Sequence, residues 1–166
     1  MKASSIRDVL SLEFLKKRET LIISGSINSD MNALAAALGM RAEREGASVM
    51  TVNAGMLHAK VADGRNEGVS ALKLVGIARP ELLIIENFGV KRLALSETTV
   101  IAQLVMERIN KLSTIITSGY LLSEWAALLR ASAEGTNLLS SLSIYAKQVV
   151  IGSKEETARK SLHRIW

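Results

Sequence analysis

The chain has 166 residues, of which 48% are hydrophobic, and its formal net charge at pH 7 is +5. This length and apolar content favour a compact globule over a disordered chain and predict a single domain over residues 1–166. The absence of cysteine excludes disulfides, thiol catalysis and cysteine-ligated zinc, and His58 and His163 lie far apart without a metal-binding motif.

The amino-terminal segment, MKASSIRDVLSLEFLKKRE, is charged throughout and is not built like a signal peptide. No apolar run reaches the roughly 18 residues that a membrane span needs. We therefore expect a cytoplasmic protein without membrane contact. The basic charge permits an acidic partner such as DNA, although the Lys and Arg residues are spread along the chain.

Five short apolar runs are typical of buried parallel strands. In chain order they are TLIIS (20–24), SVMTVNA (48–54), ELLIIEN (81–87), STIITS (113–118) and QVVIG (148–152). Segments rich in Ala, Leu and charged residues at helical spacing alternate with them, at 30–45, 96–111, 121–130 and 134–147. This alternation predicts an α/β sandwich, with about five parallel strands flanked by helices.

Two segments are less regular. Residues 54–78 are interrupted by four glycines, which favours a pair of short helices on a loop. The tail SKEETARKSLHRIW (153–166) has Ser153 and Glu156 at capping-box spacing, which predicts a basic terminal helix. That helix either packs on its own domain or contacts a partner or DNA, and the sequence leaves both readings open.

The stretch that follows the first strand has the outline of a phosphate-binding loop. Such a loop reads G-x-x-x-x-G-K-[ST], and here the frame reads Gly25-Ser26-Ile27-Asn28-Ser29-Asp30-Met31-Asn32. A second landmark of P-loop ATPases, an apolar strand that ends in two polar residues, occurs as LLIIENFG. The alternative reading of Gly25 is a tight turn of the kind that any α/β protein can contain.

Together with ARPELLIIENFG, STIITSGYLLSEW and ADGR, these motifs resemble the AAA+ core of IstB-type transposition helpers and DnaC-type helicase loaders. The likeness runs from about Leu12 to the last helix. It implies a P-loop NTPase-like fold that handles DNA alongside a transposase or helicase. Family members carry G-x-x-G-x-G-K-T in the first motif and D-D or D-E in the second.

This chain departs from the first motif at the positions that bind phosphate and Mg²⁺. Asp30, Met31 and Asn32 stand where a glycine, a lysine and a hydroxyl are expected. A carboxylate beside a phosphate oxygen is repulsive by roughly 4 kcal/mol at 4 Å with an effective dielectric of 20. Loss of the lysine removes on the order of 1.5–3 kcal/mol. Asp30 is also placed to cap the helix and to occupy the anion site itself.

The other motifs depart in the same direction. Glu86 and Asn87 replace the Mg²⁺-binding acid and the acid that activates water, and an amide cannot accept a proton. Gly119 replaces the asparagine that senses the γ-phosphate. Ser140 and Ser141 stand where the resemblance implies an Asp-Arg pair, whose arginine reaches a neighbouring site. We therefore expect no catalytic residues and no metal site.

Two hypotheses follow. The first is a catalytically inert pseudo-ATPase without a cofactor, a binding or scaffold module for DNA, a transposase, a helicase or an intact AAA+ homologue. The second is an ATP-binding DNA helper in which the divergent loop holds ATP weakly and Glu86 holds Mg²⁺. DNA contact would be non-specific and phosphate-mediated. Without nucleotide at subunit boundaries, we expect a monomer or dimer instead of a ring. The degenerate cofactor-binding positions are Gly25, Ser26, Asn28, Asp30, Met31, Asn32, Glu86 and Asn87.

Overall fold

A computed structural model describes residues 2–3, 6–26, 30–57, 59, 76–129 and 131–152. Its centre is a six-stranded sheet in the order β1-β6-β2-β5-β4-β3, with every neighbouring pair parallel. The strands are β1 (Lys2–Ala3), β2 (Thr20–Gly25), β3 (Val49–Asn53), β4 (Leu82–Phe88), β5 (Ser113–Ser118) and β6 (Ala146–Ile151). Parallel strands direct their carboxyl ends to one edge of the sheet, where α/β proteins place ligand sites.

The helices lie on both faces of this sheet. They are α1 (Ile6–Leu10), α2 (Glu13–Lys16), α3 (Met31–Arg44), α4 (Leu95–Arg108) and α5 (Ala133–Tyr145), with a 3-10 helix at Leu122–Ala127. Residues 54–57 and 76–78 are also helical, at the two ends of the segment predicted to be irregular. Within the described ranges, no helix has both the length and the apolar content needed to cross a lipid bilayer.

The five predicted strands and the parallel α/β architecture are confirmed. β1 adds a sixth strand of two residues, too short to give a periodic signal. The helix predicted over residues 121–130 is wrong in type, because a 3-10 helix occupies only Leu122–Ala127. Its tighter turn accompanies the burial of Trp125, whose ring lies 4.4 Å from that of Phe88 between centroids. The predicted tail helix over residues 153–166 lies outside the described residues.

Apolar side chains fill both faces of the sheet, which explains why the strands read as continuous apolar runs. On one face, Leu21, Ile84 and Ile115 pack in one cluster with Ala35 and Leu38 of α3. The apolar cluster on the other face is larger, and it contains buried apolar residues of α4, α5 and the 3-10 helix. Burial on both sides fixes the strand register and therefore the positions of the polar residues at the strand ends.

Gly39 allows α3 to approach the sheet closely. A Cβ atom at this position would lie 2.9 Å from Cδ1 of Ile84 and 3.5 Å from Cγ1 of Val49. Real Cβ atoms essentially never approach a neighbour to 2.9 Å, so a side chain here would require the end of the buried Ile84 side chain, or α3 itself, to shift. Close packing between this helix and β4 sets the distance between the first turn of α3 and the end of β4.

Arg108, at the end of α4, is a buried cation with 1% exposure. Its Nε donates to Oγ1 of Thr114 at 3.0 Å, and its two terminal nitrogens donate to the carbonyl oxygens of Ala78 at 2.6 Å and Ser113 at 2.5 Å. Desolvation lowers the pKa of Arg108 to about 10, so the guanidinium remains charged at neutral pH. The fork of donors therefore ties the segment before β4 to the start of β5.

We predict that Arg108→Lys destabilises the fold by roughly 1–3 kcal/mol, because one ammonium cannot replace a planar fork that satisfies three buried acceptors. Urea unfolding measures this change. Arg92→Lys is the control, because Arg92 is exposed. The free energy of unfolding of this variant should differ from that of the unmodified protein by less than about 0.5 kcal/mol. Equal values for the two variants would show that the buried fork contributes nothing specific.

Candidate functional site

The predicted strand-loop-helix frame is present at the carboxyl edge of the sheet. β2 ends at Gly25, and α3 begins at Met31. Ser26 is partly exposed between them, while Asn28 lies outside the described residues. The frame therefore occupies the edge at which α/β proteins bind their ligands.

Met31 stands at the position of the phosphate-binding lysine, and its side chain is only 5% exposed. It belongs to the same buried cluster as Ala35 and Leu38, on the face where α3 packs against the sheet. The thioether is therefore part of the core. The sequence predicted that a cation is lost at this position, but it did not predict that the replacement would be a packed core residue.

Asp30 has the predicted N-cap position but not the predicted contact. Its carbonyl oxygen accepts a hydrogen bond from Leu34 N at 2.8 Å, as the first bond of α3. Its side chain is exposed and makes no capping hydrogen bond. The expectation that this carboxylate satisfies the helix amides is therefore wrong. At φ −75° and ψ 32°, the backbone of Asp30 lies outside the extended region that a capping residue typically adopts.

Three side chains from three elements meet beside the first turn of α3. Nδ2 of Asn32 donates to Oδ1 of Asn87 at 3.0 Å, and Oγ1 of Thr117 donates to Oδ1 of Asn32 at 2.7 Å. Thr117 Oγ1 also accepts from the backbone N–H of Asn87 at 2.9 Å. We call this closed set of bonds the Asn32–Asn87–Thr117 triangle. It joins α3, β4 and β5, and all three side chains are buried or partly buried.

The backbone at Asn87 turns this residue toward its partners. The pairing of β4 with β5 is regular from Leu82 to Ile85 and shifts before Phe88, as in a β-bulge. Asn87 has φ 59°, in the left-handed region that asparagine tolerates better than most residues. Bulges redirect side chains near functional sites, and here the bulge directs Asn87 to Asn32 and Thr117.

Glu86 precedes this bulge and is partly exposed. The alternation of β4 places it on the same face as Leu82 and Ile84, which is the face covered by α3. Among the described residues, no three His, Asp or Glu side chains are grouped so that they could hold one metal ion. Glu86 is thus the single carboxylate that β4 supplies at this edge.

The region predicted to lack a phosphate sensor is organised around a backbone carbonyl. The oxygen of Tyr120 accepts from Oγ of Ser24 at 3.0 Å and from Nε1 of Trp125 at 3.3 Å. Nε2 of Gln148 donates to the same Ser24 hydroxyl at 3.0 Å. Gly119 is exposed beside this network and offers no side chain. The Trp125 side chain is completely buried.

The structure brings together some of the predicted positions and not others. Asn32 and Asn87 are in direct contact, whereas Ser140 and Ser141 lie on α5 and have no part in the triangle. Sequence reasoning missed Thr117. The feature that could have identified it is its position near the end of a buried strand, close to Gly119, where the family pattern has a sensor residue.

The sheet order and the strand-loop-helix at its carboxyl edge define a P-loop protein with an AAA+-type core. The chain belongs to the family of IstB-like ATP binding proteins, whose model matches residues 1–164. The expected resemblance to IstB-type and DnaC-type proteins is thereby confirmed.

Individual relatives agree with this assignment. The chain is 26% identical, over 137 residues, to the insertion sequence IS5376 ATP-binding protein of Geobacillus stearothermophilus, covering 82% of this chain and 55% of that relative. The chain thus spans about half the length of that relative.

Two solved structures share the fold. The DnaC helicase loader has a TM-score of 0.71 at 22% identity and covers 92% of this chain and 93% of its own. The replication initiator DnaA, bound to AMPPCP and single-stranded DNA, has a TM-score of 0.72 at 13% identity, covering 89% and 44%.

We predict that Thr117→Val destabilises the protein by roughly 1–3 kcal/mol, because the Asn87 N–H and the Asn32 amide oxygen both lose a partner. Urea unfolding gives the free energy, and hydrogen exchange should be faster in the first turn of α3. The matched control is Thr51→Val on the exposed side of β3, which should change stability by less than about 0.5 kcal/mol. A loss no larger than in the control would contradict the role assigned to the triangle.

Proposed function

We propose that this chain is a nucleotide-independent, AAA+-type binding module, a pseudo-ATPase that serves as a scaffold in DNA transactions such as transposition or replication. The observation that carries the proposal is the Asn32–Asn87–Thr117 triangle. Asn32 and Asn87 occupy the positions where the family pattern has the Mg²⁺-binding hydroxyl and the acid that activates water, and here they bond to each other.

The residues present do not fit a magnesium-bound triphosphate. The amide of Asn32 donates to one triangle member and accepts from another, so its polar groups are engaged within the protein. The lysine position holds the buried thioether of Met31, which offers no charge to phosphate. Among the described residues no three acidic or histidine side chains are grouped at this edge, where Glu86 and the exposed Asp30 lie, whereas Mg²⁺ prefers a nearly complete octahedron of oxygen ligands.

The interaction energies of the substituted side chains predict a large loss of ATP affinity. The exposed Asp30 carboxylate repels a phosphate at 4 Å by between about 1 kcal/mol in bulk water and about 4 kcal/mol near a protein surface. The missing lysine accounts for roughly 1.5–3 kcal/mol more. Since each 1.4 kcal/mol is a factor of ten, the sum weakens a micromolar site by about two to five orders of magnitude.

The DNA context of the proposal is supported by the relatives. The family model and the Geobacillus relative are described as ATP-binding, and that relative belongs to an insertion sequence. The DnaC structure is a helicase loader, and the DnaA structure contains single-stranded DNA. A net charge of +5 suits a partner with a phosphate backbone. A transposase, a helicase or an intact AAA+ homologue is the protein partner that this context favours.

A second function is favoured by one observation. Glu86 is partly exposed, and strand alternation places it on the sheet face that α3 covers. In that version the family's ATP binding persists through backbone amides, with Glu86 holding the ion. The two functions differ in whether nucleotide affinity exists and whether it depends on this carboxylate.

Calorimetric titration of the protein with ATP and Mg²⁺ separates the two functions. We predict a dissociation constant in the millimolar range or weaker and no ATP turnover, so that ATP at a concentration equal to that constant stabilises the fold by no more than about 0.4 kcal/mol. Binding at micromolar concentration, abolished in Glu86→Ala, would overturn the proposal in favour of the divergent ATP site.

A restored variant is the matched positive control for the same titration. Asp30→Gly, Met31→Lys and Asn32→Thr together supply the open turn, the cation and the hydroxyl of a working loop. If the lost groups cause the low affinity, this variant should bind ATP at least tenfold more tightly than the unmodified chain. A folded variant with unchanged affinity would show that something other than these three side chains closes the site.

A further inference from the structure

The edge of the sheet opposite the degenerate nucleotide site carries an open groove of about 570 Å³. It lies where β2 and β5 begin and where α2 and α3 end, and its lining includes Lys16, Arg18 and Lys111. A strand of six residues is about 20 Å long, so the groove is separated from the phosphate-loop edge by the length of the sheet. None of the described residues of the predicted nucleotide site lines it.

The acidic residues of this groove are already engaged. Oε2 of Glu81 accepts from the backbone N–H of Ser48 at 3.0 Å and from its hydroxyl at 3.4 Å. Oε1 of Glu45 pairs with Nε of Arg41 at 3.7 Å. Glu45 is therefore balanced by a cation, whereas the partners of Glu81 are neutral and its negative charge remains.

The three cations of the groove, by contrast, are exposed and form no ion pair within the described part of the chain. The lining therefore carries three cations and two carboxylates, a net charge of +1 (3 − 2 = 1), and Arg41 beside Glu45 adds a further positive charge, so the field in the groove is positive. Such a field attracts anions and raises their rate of association.

The loops that carry these cations have defined backbones. Arg18 N donates to Leu15 O at 3.2 Å, and Lys111 N donates to Arg108 O at 3.0 Å. Arg18 has φ 55° and Asn110 has φ 61°, both in the left-handed region. Both residues lie just past the end of a helix, where left-handed backbone is common. These turns place the exposed side chains of Arg18 and Lys111 at the groove.

We propose that this groove, defined by Lys16, Arg18 and Lys111, binds the phosphate backbone of duplex DNA. Duplex DNA carries one negative charge for about every 1.7 Å of its axis, so an open cationic groove meets several phosphates at once. Within the part of the chain that the structure describes, no aromatic residue lines the groove, so these residues offer no stacking platform of the kind that single-stranded bases need. The contact is with the backbone and carries no base specificity. This inference rests on the proposed role in DNA transactions and is independent of the nucleotide site.

Fluorescence anisotropy with a short labelled duplex of mixed sequence, measured from 50 to 200 mM salt, tests the groove. The test variant is Lys16→Gln/Arg18→Gln/Lys111→Gln in the full chain. The control is Arg7→Gln/Lys17→Gln/Arg92→Gln, three exposed cations outside the groove, which lowers the net charge from +5 to +2 (5 − 3 = 2) just as the test variant does.

We expect the unmodified chain and the control to bind the duplex with similar affinity. The test variant should bind about tenfold more weakly or worse at the lowest salt. Each phosphate contact contributes about 0.9 to the slope of log K against log salt, so three lost contacts should reduce the slope by about 2.7. If the triple variant does not fold, Lys111→Gln alone should reduce the slope by about 0.9.

The proposal would be overturned if the unmodified chain did not bind the duplex or if the two triple variants lost equal affinity. Displacement of the duplex by a poly-glutamate peptide of equal charge concentration would overturn it as well. Displacement by pyrophosphate at the same charge concentration would show a small-anion site and would also overturn it.

Thermal unfolding of each variant checks the structural alternative, in which these cations act only on the dipoles of the helices that end nearby. That alternative predicts lower melting temperature with unchanged DNA affinity. Failure here leaves the proposed function intact, since that function is tested by nucleotide titration.

Discussion

The Asn32–Asn87–Thr117 triangle is the interaction on which the functional interpretation depends. It lies where the first turn of α3 meets the ends of β4 and β5, and it consists of neutral hydrogen bonds of 2.7–3.0 Å. In an intact P-loop site, an ion and a nucleotide connect these elements. Here the protein connects them with its own side chains, so the same packing is available without a ligand.

The rest of the carboxyl edge is consistent with that substitution. Burial of Met31 extends the core into the place of a charged lysine, while the close approach at Gly39 holds α3 against β4. Arg108 fixes the opposite edge through three acceptors. A sheet held at both ends in this way provides a stable platform for partners, and its two edges offer surfaces of different character.

Much of the fold could be predicted from the sequence, because strands buried on both faces give uninterrupted apolar runs. The type of the 121–130 helix could not, since helical spacing does not distinguish a short 3-10 turn fixed by Trp125. The replacement of phosphate-binding groups could be predicted from the sequence at each position of the first motif. The contacts that replace these groups could not be predicted. In the sequence, Thr117 is indistinguishable from other strand residues, and Asp30 has the type and position of a capping residue.

The most direct test is an NMR titration that follows the two amides that donate within the triangle, the side-chain amide of Asn32 and the backbone amide of Asn87, as ATP and Mg²⁺ are added. We predict that both amides keep their chemical shifts and slow hydrogen exchange through millimolar nucleotide, because each remains bonded within the triangle. Saturable shifts of these two amides at micromolar nucleotide would contradict it, since the triangle would then have opened to admit the ligand.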